Sequence, residues 1–159
     1  MKIKLIAIGT KMPDWVRVGF KDYQRRIHSP FSLNLIEKPL IKRHKSQHLA
    51  TVIESESEQL INAVSPGDAI IALDRLGRSH STHAIAQQLS QLQQTGQNIS
   101  ILIGGPEGLS KSVLAQATQR WSLSALTLAH PLVRIVIAEQ LYRAICILNH
   151  HPYHRDRQT

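Results

Sequence analysis

The chain contains one cysteine, Cys146, in 159 residues, so no internal disulfide can hold it together. It has no apolar run long and uninterrupted enough to cross a bilayer, which leaves no membrane partner. It has no signal-peptide core. Met1-Lys2-Ile3-Lys4-Leu5-Ile6-Ala7-Ile8-Gly9 alternates lysine with apolar residues and reads as a strand instead. Without an export signal, and with a lone cysteine, the expected location is the cytoplasm. There is no internal repeat, low-complexity tract or linker, so residues 1–159 read as one domain, large enough to bury most of its core surface. The composition, 42% hydrophobic and 19% charged, excludes a disordered chain. Acidic residues are the scarcest charge. Eleven Asp and Glu stand against nineteen Lys and Arg, giving a formal charge of +8. That imbalance suits a polyanionic partner, most commonly nucleic acid. Lys38, Lys42, Arg43 and Lys45 cluster with His44 and His48, while Arg155 and Arg157 sit beside His150, His151 and His154.

Strand and helix patterns alternate along the chain. Ile3 to Gly9 reads as a strand. A helix follows from Pro13, with Trp15, Val16, Phe20, Tyr23 and Ile27 at helical spacing, and Pro30 ends it. Phe31 to Glu37 is a half-buried strand, Lys38 to His48 a basic loop, and a polar helix runs on to Val64. Asp68 to Asp74 is a third strand, Arg75 to His80 a glycine-containing loop, and Ser81 or Thr82 caps a helix that Gly96 terminates. Ile99 to Ile103 is continuous in Ile and Leu, as for a strand covered on both faces. A short helix over Leu109 to Gln119, a brief strand over Trp121 to Leu123 and a final helix from Pro131 complete the pattern. The fold class this implies is α/β, a mostly parallel sheet sandwiched by helices.

Two segments stand out chemically. Gly104-Gly105-Pro106-Glu107-Gly108 follows the buried strand and precedes a helix, where parallel sheets bind ligands. Its glycines allow positive φ and let a ligand approach the backbone. It lacks the lysine of a phosphate loop and the spacing of a dinucleotide fingerprint. Leu123 to Leu128 carries no charge, unusual for a surface loop, and its amides and apolar side chains suit a flat neutral ring such as adenine. Leu73, at the end of the third strand, supplies a third wall. A tight turn plus a helix cap would explain both segments without any ligand. His150, His151 and His154 lack the companion ligands of a closed metal site, so no metal is expected. A tail that touches RNA accounts for them better, with Tyr153 stacking on a base and Arg155 on phosphate. Cys146, between Ile145 and Ile147, reads as buried packing.

The chain resembles the SPOUT class of S-adenosylmethionine-dependent methyltransferases, and within it the enzymes that methylate N3 of a pseudouridine in large-subunit ribosomal RNA. The resemblance runs from the opening strand through Gly9-Thr10-Lys11-Met12-Pro13-Asp14-Trp15 to His151-Pro152-Tyr153-His154-Arg155. Its most specific pieces are Leu102 to Ser110, Trp121 to Leu128, and His130-Pro131-Leu132-Val133-Arg134. Lys42 to Val64 and the run Asp156-Arg157-Gln158-Thr159 match weakly. The resemblance implies a C-terminal trefoil knot and a homodimer with cofactor pockets by the interface. It implies methyl transfer to a pseudouridine of 23S ribosomal RNA in the assembled ribosome. By motif position, Leu73, Gly104, Leu123, Ser124, Ala125, Leu126, Thr127 and Leu128 would contact S-adenosylmethionine.

Transfer from a sulfonium to a ring nitrogen needs alignment and removal of the N3 proton. Candidates for that proton are His154, Tyr153 and Glu139, in that order. Arg134 or Arg143 would stabilise the deprotonated base by charge, and both join Arg155 as RNA-contacting residues. Glu139 has a plainer reading, pairing with Arg143 one turn later. Two faces of the last helix are apolar, one for the core and one for a partner copy. The competing readings are a basic RNA-binding or ribosome-associated module without catalysis, and a related methyltransferase acting on transfer RNA.

Overall fold

A computed structural model describes residues 1–155. Five strands, β1 (Lys2–Ile8), β2 (Ser32–Lys38), β3 (Ala69–Ser79), β4 (Ile99–Ile103) and β5 (Gln119–Ser122), form one sheet in the order β2-β1-β4-β3-β5. Every pairing is parallel. Among the described residues, α1 (Asp14–Arg26), α2 (Leu49–Ile61), α3 (Thr82–Gln94) and α4 (Lys111–Gln116) link successive strands, and α5 (His130–Leu148) follows β5.

The strand alternation sorts side chains into two apolar layers. Ile3, Leu5 and Ala7 of β1 and Ile99, Ile101 and Ile103 of β4 face one way, against Phe20 of α1, Leu89 of α3 and Ile137, Leu141 and Ile145 of α5. Ile6, Ile8 and Leu102 face the other way, against Leu60 of α2 and Val113 of α4. All five residues of β4 are buried, which is why it reads as a continuous apolar run. Burying each such Ile or Leu contributes about 1.5–3 kcal/mol. The one polar residue in that strand, Ser100, donates to Asp68 Oδ2 at 2.6 Å, and Lys4 Nζ reaches the same oxygen at 3.0 Å. Cys146 is buried in the larger layer, as its neighbours suggested.

Local rules explain most boundaries. Ser81 caps α3 by accepting from the Ala84 N–H at 3.1 Å, and Gly96, at φ +69°, follows that helix in the left-handed region. Pro13 sits one position before α1, at its N-cap, rather than inside the first turn. That helix ends at Arg26, short of Pro30, because Ile27 is already extended. The short helix expected over Leu109 to Gln119 is trimmed at both ends to α4, with β5 starting at Gln119.

One boundary differs in kind. β3 does not stop at Asp74 but continues to Ser79, absorbing most of the expected loop. Leu73 and Arg78 both pair with Trp121, so Asp74 to Gly77 bulges out of the ladder. A Cβ on Gly77 would stand 2.8 Å from the Arg120 carbonyl, so only glycine lets the returning strand close on β5.

Candidate active site

β3 and β4 end side by side, and beyond their carboxyl ends lies a cavity of about 670 Å³. Parallel sheets place their ligands there. Leu73 to Leu76 form one wall, Gly104 to Leu109 the second, and Trp121 to Leu128 (Ala125 apart) the third. His130 and Val133, from the first turn of α5, close the fourth side. Trp121 is fully buried, with its indole N–H donating to Gln119 Oε1 at 2.8 Å and the His80 ring 5.5 Å away. Ser122 Oγ donates to the Ser124 carbonyl at 3.1 Å and Ser124 Oγ accepts from the Leu126 N–H at 2.9 Å. These two bonds fold the uncharged segment into a turn and leave Leu126 at the lip, 74% exposed.

The glycine turn is shaped by its own backbone. Gly108, at φ +85°, donates to the Gly105 carbonyl at 3.0 Å. A Cβ on Gly104 would stand 2.6 Å from the Gly108 carbonyl group. The expectation that Gly104 is glycine for the sake of a ligand is therefore corrected. The turn's return path excludes a side chain there before any ligand arrives. Glu107 reaches the cavity with its pKa lowered, chiefly by its hydrogen bond to Arg43, so it is a carboxylate at neutral pH.

Arg134 is buried, 1% exposed, behind the cavity. It donates to the carbonyls of Ile8 at 3.2 Å and Gly9 at 2.7 Å, pairs with Glu37 at 2.5 Å, and donates from Nε to His130 Nε2 at 3.3 Å. This guanidinium ties the start of α5 to the ends of β1 and β2. Its assignment as an RNA contact is corrected, because the group is buried and all three of its nitrogens are already engaged inside the protein. Burial, and then the charge of Arg134, lower the His130 pKa, while a hydrogen bond with the Gly104 backbone opposes them. The ring is neutral, and with Nε2 accepting, Nδ1 carries its proton.

A second cluster gathers where the tail folds back on α5. Glu139 accepts from Arg143 Nε at 2.8 Å, from Gln140 Nε2 at 2.7 Å and from the Tyr153 hydroxyl at 3.1 Å. The Arg143 guanidinium lies 4.6 Å over the Tyr153 ring, and the Tyr142 ring is 4.7 Å away. His154 packs edge-on to His83 at 5.0 Å. The Tyr153 hydroxyl pKa is raised, first by burial and then by Tyr23 and Glu139, so the phenol keeps its proton. None of Glu139, Arg143, Tyr153, His154 and Arg155 lines the cavity. Glu139 is nine residues beyond His130, about 13 Å along the helix at about 1.5 Å per residue.

A family model described as "Predicted SPOUT methyltransferase" matches residues 1–154. This chain belongs to the SPOUT methyltransferases. It is 49% identical to a Legionella pneumophila (strain Paris) protein named "Ribosomal RNA large subunit methyltransferase H", over 98% of this chain and 99% of that protein. A protein of the same name from strain Lens of that species matches with the same identity and coverage.

In this SPOUT methyltransferase, seven of the eight residues assigned to the cofactor surround the cavity: Leu73, Gly104, Leu123, Ser124, Leu126, Thr127 and Leu128. Ala125 is exposed and does not line it. Asp74 was missed as a mere strand end, and Arg75 and Leu76 because they were read as a loop after the strand rather than as its bulge. His130 was missed as a lining residue although it opens a motif already singled out. Among the described residues, no cluster of His, Cys, Asp and Glu is placed to hold a metal ion, and no helix is long and apolar enough to cross a membrane. The extension Asp156-Arg157-Gln158-Thr159 lies outside the described residues.

Proposed function

We propose that this SPOUT methyltransferase binds S-adenosylmethionine in the cavity and methylates N3 of a pseudouridine in 23S ribosomal RNA of the assembled cytoplasmic ribosome. The observation that carries the reading is the joint placement of the Gly104–Gly108 turn and the uncharged Leu123–Leu128 segment around one cavity. A volume near 670 Å³ falls in the usual ligand range of about 300–1,000 Å³. Its walls suit this ligand in kind. Leu73, Leu123, Leu126 and Leu128 offer apolar contact to an adenine ring, and Asp74 offers a carboxylate to a cationic end. The turn has no lysine with which to hold phosphate.

Bound there, S-adenosylmethionine supplies an electrophilic methyl group. The protein's own part is to orient, to exclude water and to accept a proton. Glu139 is committed to three donors and Tyr153 holds its proton, so His154 is the base in this reading. Arg143, beside Tyr153, and Arg155, exposed on the tail, face the RNA. Because the tail cluster stands apart from the cavity of its own chain, we infer a homodimer in which one copy's tail completes the other copy's site. The C-terminal knot of the class belongs to the same reading. Exposed Lys42, His44, Lys45 and His48 form a basic rim on the loop that also carries Arg43, and RNA would lie along it.

Methyl transfer should be assayed side by side on assembled ribosomes, free subunits and transfer RNA, with nucleoside mass spectrometry of the product. N3-methylated pseudouridine formed on assembled ribosomes supports the proposal. Methylated transfer RNA instead would favour the related activity, and no transfer to any of them would favour a non-catalytic RNA-binding module.

A further inference from the structure

Glu56 of α2 is a carboxylate buried to 1% exposure that has no part in the reaction proposed above. Its Oε1 accepts from the Ile41 N–H at 3.0 Å and from Arg43 Nη1, and its Oε2 accepts from Arg43 Nη2 at 3.1 Å. The same Nη2 also donates to the Glu107 carboxylate on the glycine turn. Nη1 donates to the Ile41 carbonyl at 2.6 Å as well. A Cβ built on Gly105 would stand 2.6 Å from Glu56 Oε2 and 3.4 Å from Arg43 Nη2. The backbone of the turn therefore lies directly on this ion pair. A second grip from α2 follows: the Ser110 N–H donates to Ser57 Oγ at 2.9 Å, and the Ser112 hydroxyl donates to Glu54.

A turn of three glycines and a proline has little side chain of its own with which to define its shape, and glycine loses the most backbone freedom on ordering. Something outside must hold it. Only a planar fork can bond a buried carboxylate through both Nη atoms while sharing one of them with a second carboxylate; an ammonium acts as a point charge.

We propose that Arg43 is a positioning residue for the cofactor pocket: by bridging Glu56 and Glu107 it holds the Gly105–Gly108 turn in the shape that receives the ligand. The inference rests on reading the cavity as the S-adenosylmethionine site. It also gives the buried Glu56, on a helix that reads as polar from its sequence, a reason to be there.

The test is calorimetric titration of S-adenosylhomocysteine into the full-length wild type, Arg43→Lys, Glu107→Gln and the double variant, with thermal unfolding of each. Glu107→Gln leaves the Arg43–Glu56 pair whole, and Arg43→Lys keeps a cation beside buried Glu56. Each single change should weaken binding about tenfold, and the double should weaken it no further, because both remove one shared interaction. At saturating S-adenosylmethionine, kcat of Arg43→Lys should stay within about twofold of wild type while KM rises about tenfold, a split that a general loss of folded protein would not give. Wild-type affinity in either single variant overturns the proposal. So do losses that multiply to about a hundredfold, since Glu107 would then act on the ligand without Arg43. Should Arg43→Lys fail to fold, Glu107→Gln alone decides by the same criterion. No heat with the wild type would instead defeat the cavity reading, and this inference with it.

Discussion

Arg134 donates from Nε to His130 Nε2 across 3.3 Å, one turn apart at the start of α5. That contact, with the other Arg134 bonds to Gly9, Ile8 and Glu37, anchors the wall of the cavity to two strand ends far away in sequence. A protonated imidazole could not accept the bond. Stability should therefore depend on pH. The His130 pKa lies below its ordinary 6.5, so just below that pH the unfolded chain binds the extra proton and the folded one does not. Full stability is present above the ordinary histidine value, falls as pH drops through it, and levels off below the folded value. His80, shifted the same way by burial and Arg78, adds to the trend. Urea unfolding at about pH 7.5 and about pH 5.5 should show the loss, and His130→Asn should show less of it.

Arg134→Leu should cost about 3–5 kcal/mol of folding stability, because it leaves Glu37 and two strand-end carbonyls without their partner. Chemical denaturation measures this. Arg155→Gln, on the exposed tail, should leave stability unchanged and reduce the salt slope of RNA binding by about 0.7–0.9. A large stability loss at Arg155 and none at Arg134 would reverse the two assignments.

Gly104→Ala should disturb folding as well as binding. Its Cβ would meet the Gly108 backbone at 2.6 Å, so the turn has to open by several tenths of an ångström. A lower unfolding temperature with weaker S-adenosylhomocysteine binding is the expected pair of results. Lost binding at unchanged stability would restore the simpler view of Gly104 as a ligand contact alone.

Removing the tail from Tyr153 onward should leave cofactor affinity near wild type and abolish methyl transfer. Mixing that protein with a Leu126→Glu copy, whose cavity is damaged but whose tail is whole, should restore part of the activity in mixed dimers. Activity of the truncated protein alone at the intact rate would contradict the role given to the tail.

Much of this arrangement was legible in the residues. β4 announced itself because both its faces are covered, and the helix ends at Ser81 and Gly96 follow from local chemistry. The two cavity-facing segments could be picked out because Leu123 to Leu128, unlike a surface loop, carries no charge, and because the Gly104 to Gly108 turn follows a buried strand without the lysine of a phosphate loop. The strand order β2-β1-β4-β3-β5 was not legible, since it depends on contacts between distant segments. β3 past Asp74 was missed because charged residues and Gly77 look like a loop until β5 is beside them. Arg134 was read as an RNA contact and Glu56 was passed over within a polar helix, because the partners that make their burial tolerable are on other elements. Buried charge is the feature that one-dimensional pattern shows least.

We expect the two loops around the cavity to hold S-adenosylmethionine without metal or RNA. Calorimetric titration of the purified wild-type chain with S-adenosylmethionine, in the presence of a chelator, tests it most directly. Saturable binding at one site per chain, weakened by both Leu126→Glu and Gly104→Val, is the expected result. Absence of heat, binding that the chelator abolishes, or binding that neither substitution alters would contradict it.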